Sequence, residues 1–315
     1  MARKLTVAEL FEARRQRLGL SYVSGDMSRT IVAPDSEISP ADIVGHMNVV
    51  HPERVQVFGK PEVKWIESRP ADRVRQNLEE MVAATCPAVV VADGCTPPDC
   101  VRQLCERTQI PLLASPQSAA AVIDVLRLYL SRKFAETITL HGVFMDVLGL
   151  GVLLTGDSGV GKSELALELI TRGHGLVADD VVEVSHIPPD VLEGRCPELL
   201  MDFIEVRGLG LLNIRTVFGE TACRRKMKLR LIAHLQKPQA GVPQAARLPL
   251  DAQNETILGL PVRKVTIPVA AGRNLAVLVE TAVRATILQL RGIDCMQEFL
   301  ERQHKALESG LDIDY

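Results

Sequence analysis

No apolar stretch of this 315-residue chain reaches bilayer-spanning length, because Asp146 interrupts the best candidate and Asp124 and Arg127 the next. No membrane partner is expected. A basic excess is missing as well. With a formal net charge of −3 and a pI near 6.2, the chain offers no global basic surface to nucleic acid or an anionic membrane, and only a local patch could serve either. The seven cysteines are scattered. Cys95, Cys100 and Cys105 recur at a regular interval, yet no pair has the two-residue gap of a zinc knuckle, so they read as reduced thiols of a cytoplasmic protein. The segment Met1 to Arg15 mixes acids with bases and lacks the continuous apolar core of a signal peptide; it reads as an amphipathic helix. Internal repeats and low-complexity tracts are absent from the sequence.

What the chain has is 47% hydrophobic residues over a length that suits about two domains. The first third alternates helix and strand signals. Leu5, Leu10 and Phe11 share a helical face, and extended pieces follow at Val55–Phe58 and Val63–Ile66. Arg73–Ala84 predicts a helix, Ala88–Ala92 a buried strand, Pro97–Thr108 a helix and Ile110–Ala114 a further strand. Such alternation implies a mainly parallel sheet with crossover helices. Asp93-Gly-Cys-Thr96, at a strand end, suits an ordinary turn better than a ligand site. Ser118–Lys133 predicts a bridging helix, and the boundary is set near residue 131. The fold class is therefore α/β, with an N-terminal α/β domain over 1–131 and a second domain over 132–315. The latter has strand signals at Thr137–Leu140, Gly142–Met145 and Val262–Ile267, and a final helix, Asn274–Arg291, apolar enough to be largely buried. The Pro-rich pieces 187–197 and 238–249 are the best linker candidates.

Gly156-Asp157-Ser158-Gly159-Val160-Gly161-Lys162-Ser163 follows the apolar run Val147–Leu154 with only Thr155 between. This is a strand entering a phosphate-binding loop. Its glycines let successive N–H groups converge, Lys162 adds a mobile positive charge, and Ser163 offers a hydroxyl to Mg²⁺. A helix from Ser163 to about Arg172 turns its positive dipole end toward the same anion.

Beyond that helix, Gly173–Asp180 reads as a short buried strand ending in two acids. Strand carboxyl ends share one crevice, so Asp179 and Asp180 belong near the phosphates, one for a metal shell and one to take a proton from an attacking hydroxyl. Alternation would turn them to different faces. Glu205 and Arg207, just before two glycines, could complete the Mg²⁺ shell and clamp a phosphoryl group, although an exposed ion pair beside a turn has the same pattern. His141, alone, would ordinarily be structural. The segment 238–260 suggests a mobile lid or docking loop carrying Arg247, and Arg273 and Asn274 start the last helix, where a plain turn and cap competes with a phosphate contact.

In their order and spacing, His141-Gly-Val, Thr155–Glu164, Ala178-Asp-Asp180 and Ile204-Glu-Val-Arg-Gly-Leu-Gly210 resemble the HPr serine kinase family, the bacterial HPr kinase/phosphorylases. The resemblance runs over nearly the whole chain. It implies an N-terminal accessory domain and a C-terminal P-loop kinase domain, assembled as a homohexamer. The implied activity is phosphorylation of a serine on the carrier protein HPr by ATP, and removal of that phosphate by inorganic phosphate with release of pyrophosphate, both at one site. Carried over, Gly156 to Ser163 would cradle phosphates, Lys162 would balance charge, and Ser163 and Glu205 would hold Mg²⁺. Asp180 would be the base in the kinase direction and the acid in the other, with Asp179 in reserve. His141, Arg207 and Arg247 would complete the phosphate environment, and residues 268–273, with Arg273, would matter most for dephosphorylation. Ala270-Ala271 stands where many relatives are expected to have Arg-Pro. Two readings compete with this one: a P-loop kinase of a small metabolite, and a nucleotide-gated binding module without phosphoryl transfer.

Overall fold

Ala88–Ala92 is apolar without alternation because both of its faces are covered. In the computed structural model the chain divides into two units, residues 1–135 and 136–315. The structure describes residues 4–32, 43–48, 50–70, 74, 76, 78, 79, 86–237, 253–270 and 272–308. The first unit runs β1 (Lys4–Thr6), α1 (Val7–Leu18), β2 (Ser21–Ser24), β3 (Thr30–Val32), β4 (Val44–His46), β5 (Val55–Phe58), α2 (Lys60–Glu67), β6 (Val89–Val91), α3 (Asp99–Thr108), β7 (Leu112–Ala114) and α4 (Ala119–Lys133). Its main sheet has the order β2-β7-β6-β5-β4, parallel from β4 to β7 with β2 antiparallel at the edge. Val89 and Val91 pack with Val63, Ile66, Val101 and Leu104 of α2 and α3. Val90 faces the opposite way, toward Leu10 of α1 and Val122 and Leu126 of α4.

Two local expectations fail here for physical reasons. Val63–Ile66 lies in α2, not in a strand: Pro61 sits in the first turn, the Glu62 carboxylate accepts the Gly59 N–H at 2.8 Å, and Val63 and Ile66 share the buried face. So short an apolar run carries no distinguishing period. Leu5 is buried in β1 because Thr6 caps α1 one residue later. Most of Arg73–Ala84 lies outside the described residues.

Asp93, after β6, holds a positive φ of 58°. Its Oδ2 accepts the Lys60 N–H at 2.7 Å and its Oδ1 the Ala119 N–H at 3.1 Å, so one carboxylate caps the first turns of both α2 and α4. The acid at this strand end is committed to folding, which favours the turn over the ligand site.

The second unit comprises β8 (Thr137–His141), β9 (Val143–Val147), β10 (Leu150–Gly156), α5 (Lys162–Thr171), β11 (Gly175–Ala178), β12 (Val181–Ile187), β13 (Val191–Arg195), β14 (Phe203–Val206), β15 (Gly210–Asn213), α6 (Ile214–Phe218), β16 (Lys226–Gln236), β17 (Gln253–Ile257), β18 (Leu260–Pro268), α7 (Leu275–Leu290) and α8 (Cys295–Glu308). The sheet order is β11-β9-β10-β16-β13-β12-β8, with β18 beside the second half of β16 and β17 beyond it. β10, β16 and β18 are mutually parallel, and β9 is antiparallel to both β10 and β11. Four strands therefore end on one edge, where ligands of such sheets bind. α5 and α7 cover one face, while β12 and β13 close over the other, around Phe144, Leu153 and Ile232.

The run Val147–Leu154 is not one strand. Leu148 and Gly149, with φ of 55° and 82°, turn β9 back into β10, a two-residue hairpin of the left-handed kind. Within 187–197, β12 and β13 form a hairpin rather than a linker, and 238–249 lies outside the described residues. α7 buries only the stripe Ala276, Val279, Val283 and Thr286. Val277, Leu278 and Leu290 stay exposed, so the expectation of a largely buried helix is corrected to one covered face.

Replacing Asp93 with Ala should cost about 2 kcal/mol in urea unfolding, the sum of two lost caps. Asn, which tolerates positive φ and keeps one acceptor, should lose less.

Candidate active site

The loop Gly156-Asp157-Ser158-Gly159-Val160-Gly161 joins β10 to α5 at that common strand edge. Gly156, at φ 140°, admits no side chain, because a Cβ there would stand 2.5 Å from the Leu235 carbonyl oxygen of β16. Val160 is buried in the core beneath α5 and anchors the loop, while Asp157, Ser158 and Gly159 are exposed. Lys162 Nζ donates to the carbonyls of Gly156 at 2.8 Å and Asp157 at 3.1 Å. The cation is thus held over the loop, at the N-terminal end of α5, where backbone donors also collect.

Asp179 and Asp180 follow β11 into different surroundings. Asp179 is buried; its Oδ1 lies 3.4 Å from the Ser163 hydroxyl and its Oδ2 accepts the Glu205 N–H at 2.9 Å. Desolvation raises its pKa above the ordinary carboxylate value, the Asp180 charge adds to that, and the donated hydrogen bonds oppose it. Asp180 is exposed at φ 60°, and among the described residues no side-chain hydrogen bond occupies its carboxylate. Its carbonyl accepts the Gly142 N–H at 3.2 Å, and the next residue, Val181, pairs with His141 across β12 and β8. His141 is thereby set beside the acid pair and exposed. The two acids do part, but at a left-handed bend after the strand rather than by strand alternation.

Glu205 projects from β14 to solvent between the buried Ile204 and Val206, with its backbone fixed to Asp179. The Arg207 guanidinium lies 3.5 Å from where a Cβ on Gly159 would stand, so it reaches the exposed arc of the loop. The structure therefore gathers Gly156 to Ser163, Asp179, Glu205 and Arg207 by contact, and His141 and Asp180 by strand pairing. Arg273 is exposed just ahead of α7, at the β18 end of the same edge, and among the described residues no hydrogen bond or ion pair joins it to the loop. Arg247 lies outside the described residues.

One neighbour went unread in the sequence. His234, on β16, is in register with Thr155 and meets its hydroxyl through Nδ1 at 3.0 Å. Only strand pairing brings these residues together, so no local signal could reveal it.

The raised pKa of Asp179 has a sign for stability. Between the ordinary value of 3.8 and the raised one, the native state binds more protons than the unfolded state, so stability falls as pH rises through that window. Above it the cost of a buried charge is complete. Asp179→Asn should then match or exceed the parent in thermal denaturation at neutral pH and show no such gain below pH 3.8. A lower Tm at neutral pH would mean that the carboxylate's hydrogen bonds outweigh its desolvation.

The chain matches the family model for the HPr Serine kinase N terminus over residues 5–130 and that for the HPr Serine kinase C-terminal domain over 132–303. It is 58% identical to the HPr kinase/phosphorylase of Aromatoleum aromaticum, over 97% of this chain and 98% of that protein. Identity is 56% with the HPr kinase/phosphorylase of an Azoarcus species, over 97% of each. A solved structure, of the Hpr(Ser) kinase/phosphatase from Coxiella burnetii, aligns with a TM-score of 0.46 and 37% identity, covering 51% of this chain and 98% of that one. By the family models and by these near-full-length identities, the chain belongs to the HPr serine kinase family.

Proposed function

We propose that this protein phosphorylates a serine of HPr with ATP and removes the phosphate by attack of inorganic phosphate, releasing pyrophosphate, at one shared site. The observation that carries the reading is the pairing of a glycine-rich loop and its lysine with an exposed acid beside His141, Asp180, whose carboxylate takes no side-chain hydrogen bond among the described residues. In the kinase direction the serine oxygen attacks the γ-phosphorus, its proton passes to Asp180, and the bond to the β-phosphate oxygen breaks with ADP leaving. In the other direction a phosphate oxygen attacks the phosphoserine phosphorus, the bond to the serine oxygen breaks, and Asp180 returns the proton to that oxygen. Loop N–H groups and Lys162 hold the nucleotide tail, phosphate or pyrophosphate in turn. Arg207 and His141 border the transferring group, with Arg247 assigned to it by resemblance alone. Arg273, just ahead of α7, is assigned to the phosphate that attacks phosphoserine.

The donors near the loop fit Mg²⁺. The Ser163 hydroxyl and Glu205 carboxylate are hard oxygens, and Mg²⁺ is ordinarily bound by one or two carboxylates together with substrate phosphates. When bound, the ion would neutralise charge on the phosphates. Asp179 orients Ser163 and fixes the Glu205 backbone. We assign the protein to the cytoplasm, where ATP is supplied, and carry forward the homohexamer, for which the exposed Val277 and Leu278 of α7 and Phe299 and Leu300 of α8 offer apolar surface.

Incubation with ATP and purified HPr, then of phosphorylated HPr with inorganic phosphate, followed by mass measurement, tests the reading; an unmodified HPr would leave a metabolite kinase or a binding module. Asp180→Asn should lower both rates by about 10² to 10⁴ while nucleotide affinity is retained. A larger loss in Asp179→Asn would exchange the two roles. Glu205→Gln should raise the Mg²⁺ concentration needed for kinase activity, since an amide is the poorer ligand, and an unchanged requirement would remove it from the metal shell.

A further inference from the structure

The outward face of the β14–β15 hairpin carries Asn213, which caps α6, and near the tip side chains that folding does not use. Ile204 and Val206 enter the core, and the alternate positions face solvent. Glu205 and Arg207 among these belong to the site. Two more are apolar: Leu211, directly opposite Glu205 across the hairpin, and Leu209, at the tip between Gly208 and Gly210, are each 66% exposed. Directly opposed antiparallel residues carry their side chains on the same face, so Leu211 stands beside Glu205. β15 runs straight into α6, which exposes Val217 and Phe218. Hairpin tips ordinarily take polar or turn-forming residues, and an apolar patch left in water at a functional rim marks an interaction surface.

We propose that Leu209 and Leu211, continued by Val217, form the surface that seats the protein phosphoacceptor. This rests on the function proposed above. A serine carried on a folded protein reaches Asp180 only when its carrier covers the rim of the site, and this rim is where apolar side chains adjoin Glu205 and, through Arg207, the loop at Gly159. The occupant is therefore a folded protein with an apolar patch next to its acceptor serine. Burying such leucines excludes water from the contact without touching the transferring phosphate, so the surface acts on acceptor affinity and not on nucleotide affinity. A second copy of this chain has a separate surface open to it, on α7 and α8.

The test compares Leu209→Gln and Leu211→Gln with the parent, and uses Leu211→Met as the volume-conserving control. KM for HPr and for ATP and the native mass by light scattering are measured for each. Each Gln variant should raise KM for HPr about tenfold, the scale of a lost interface anchor, with KM for ATP and native mass unchanged and the Met variant near the parent. An unchanged KM for HPr in both Gln variants would overturn the docking surface while leaving the reaction intact. A fall in native mass accompanying the loss would overturn it too, and assign the face to self-association. Failure of the parent itself to phosphorylate HPr would sink the proposed function, and this surface with it.

Discussion

The second unit gathers its chemistry around one buried carboxylate. Asp179 receives the Glu205 N–H and adjoins the Ser163 hydroxyl, partners that lie 26 and 16 residues away in the chain. Three segments are tied by it: the start of α5 behind the phosphate loop, the end of β11, and the β14 strand. A carboxylate in that position is costly, as its raised pKa shows, and the donors that surround it are what make the burial tolerable. The geometry of the loop, Ser163, Glu205 and the acid pair is held by this tie and by close backbone packing, of which the Gly156 contact with the Leu235 carbonyl is one example. A site built on strand ends and a helix start is placed more firmly than one built on loops alone.

Two adjacent aspartates thereby acquire different chemistry. The left-handed backbone at Asp180 turns its side chain out to solvent, while Asp179 stays in the core. Paired acids whose environments diverge can divide structural and proton-transfer work between them. The buried one cannot exchange a proton with an incoming hydroxyl without breaking its own contacts. The exposed one has no such side-chain hydrogen bond among the described residues. His141 arrives beside it only because β8 pairs with β12, and Gly142 fits the corner only as glycine, since a Cβ would stand 2.5 Å from the Leu154 carbonyl oxygen.

Whatever depends on a few consecutive residues was legible in the sequence. The loop glycines, Lys162 and Ser163 announce their own geometry, and β6, α3 and α4 stand close to where their apolar patterns and caps place them. What depends on distant partners was not. Val63–Ile66 is helical through Pro61 and a Glu62 cap, against a short run that fits either period. The turn at Leu148 uses a positive φ that leucine rarely adopts, so an apolar string concealed a hairpin. α7 is apolar almost all round, and only the packing shows that one stripe is enough for the core. The meeting of Thr155 with His234, and the double cap by Asp93, are products of strand register and of helix placement.

The resting partners of Lys162 bear on how one site would serve both of the proposed directions. Its ammonium is already over the loop, bonded to the carbonyls of Gly156 and Asp157. A phosphate oxygen that replaces these neutral acceptors is an ionised one, and charge-assisted hydrogen bonds are roughly twice as strong as neutral ones. The exchange asks for a short movement of one side chain and no rebuilding of the loop, whose backbone is fixed by Val160 in the core and by β16 alongside. Preorganisation of this kind lowers the cost of binding for any ligand that presents the same oxygens. The tail of ATP and, in the proposed reverse reaction, inorganic phosphate and pyrophosphate would all do so. In the proposed function the loop would therefore not distinguish the two reactions, and the choice of direction would fall to the residues around it that meet the acceptor and the attacking phosphate.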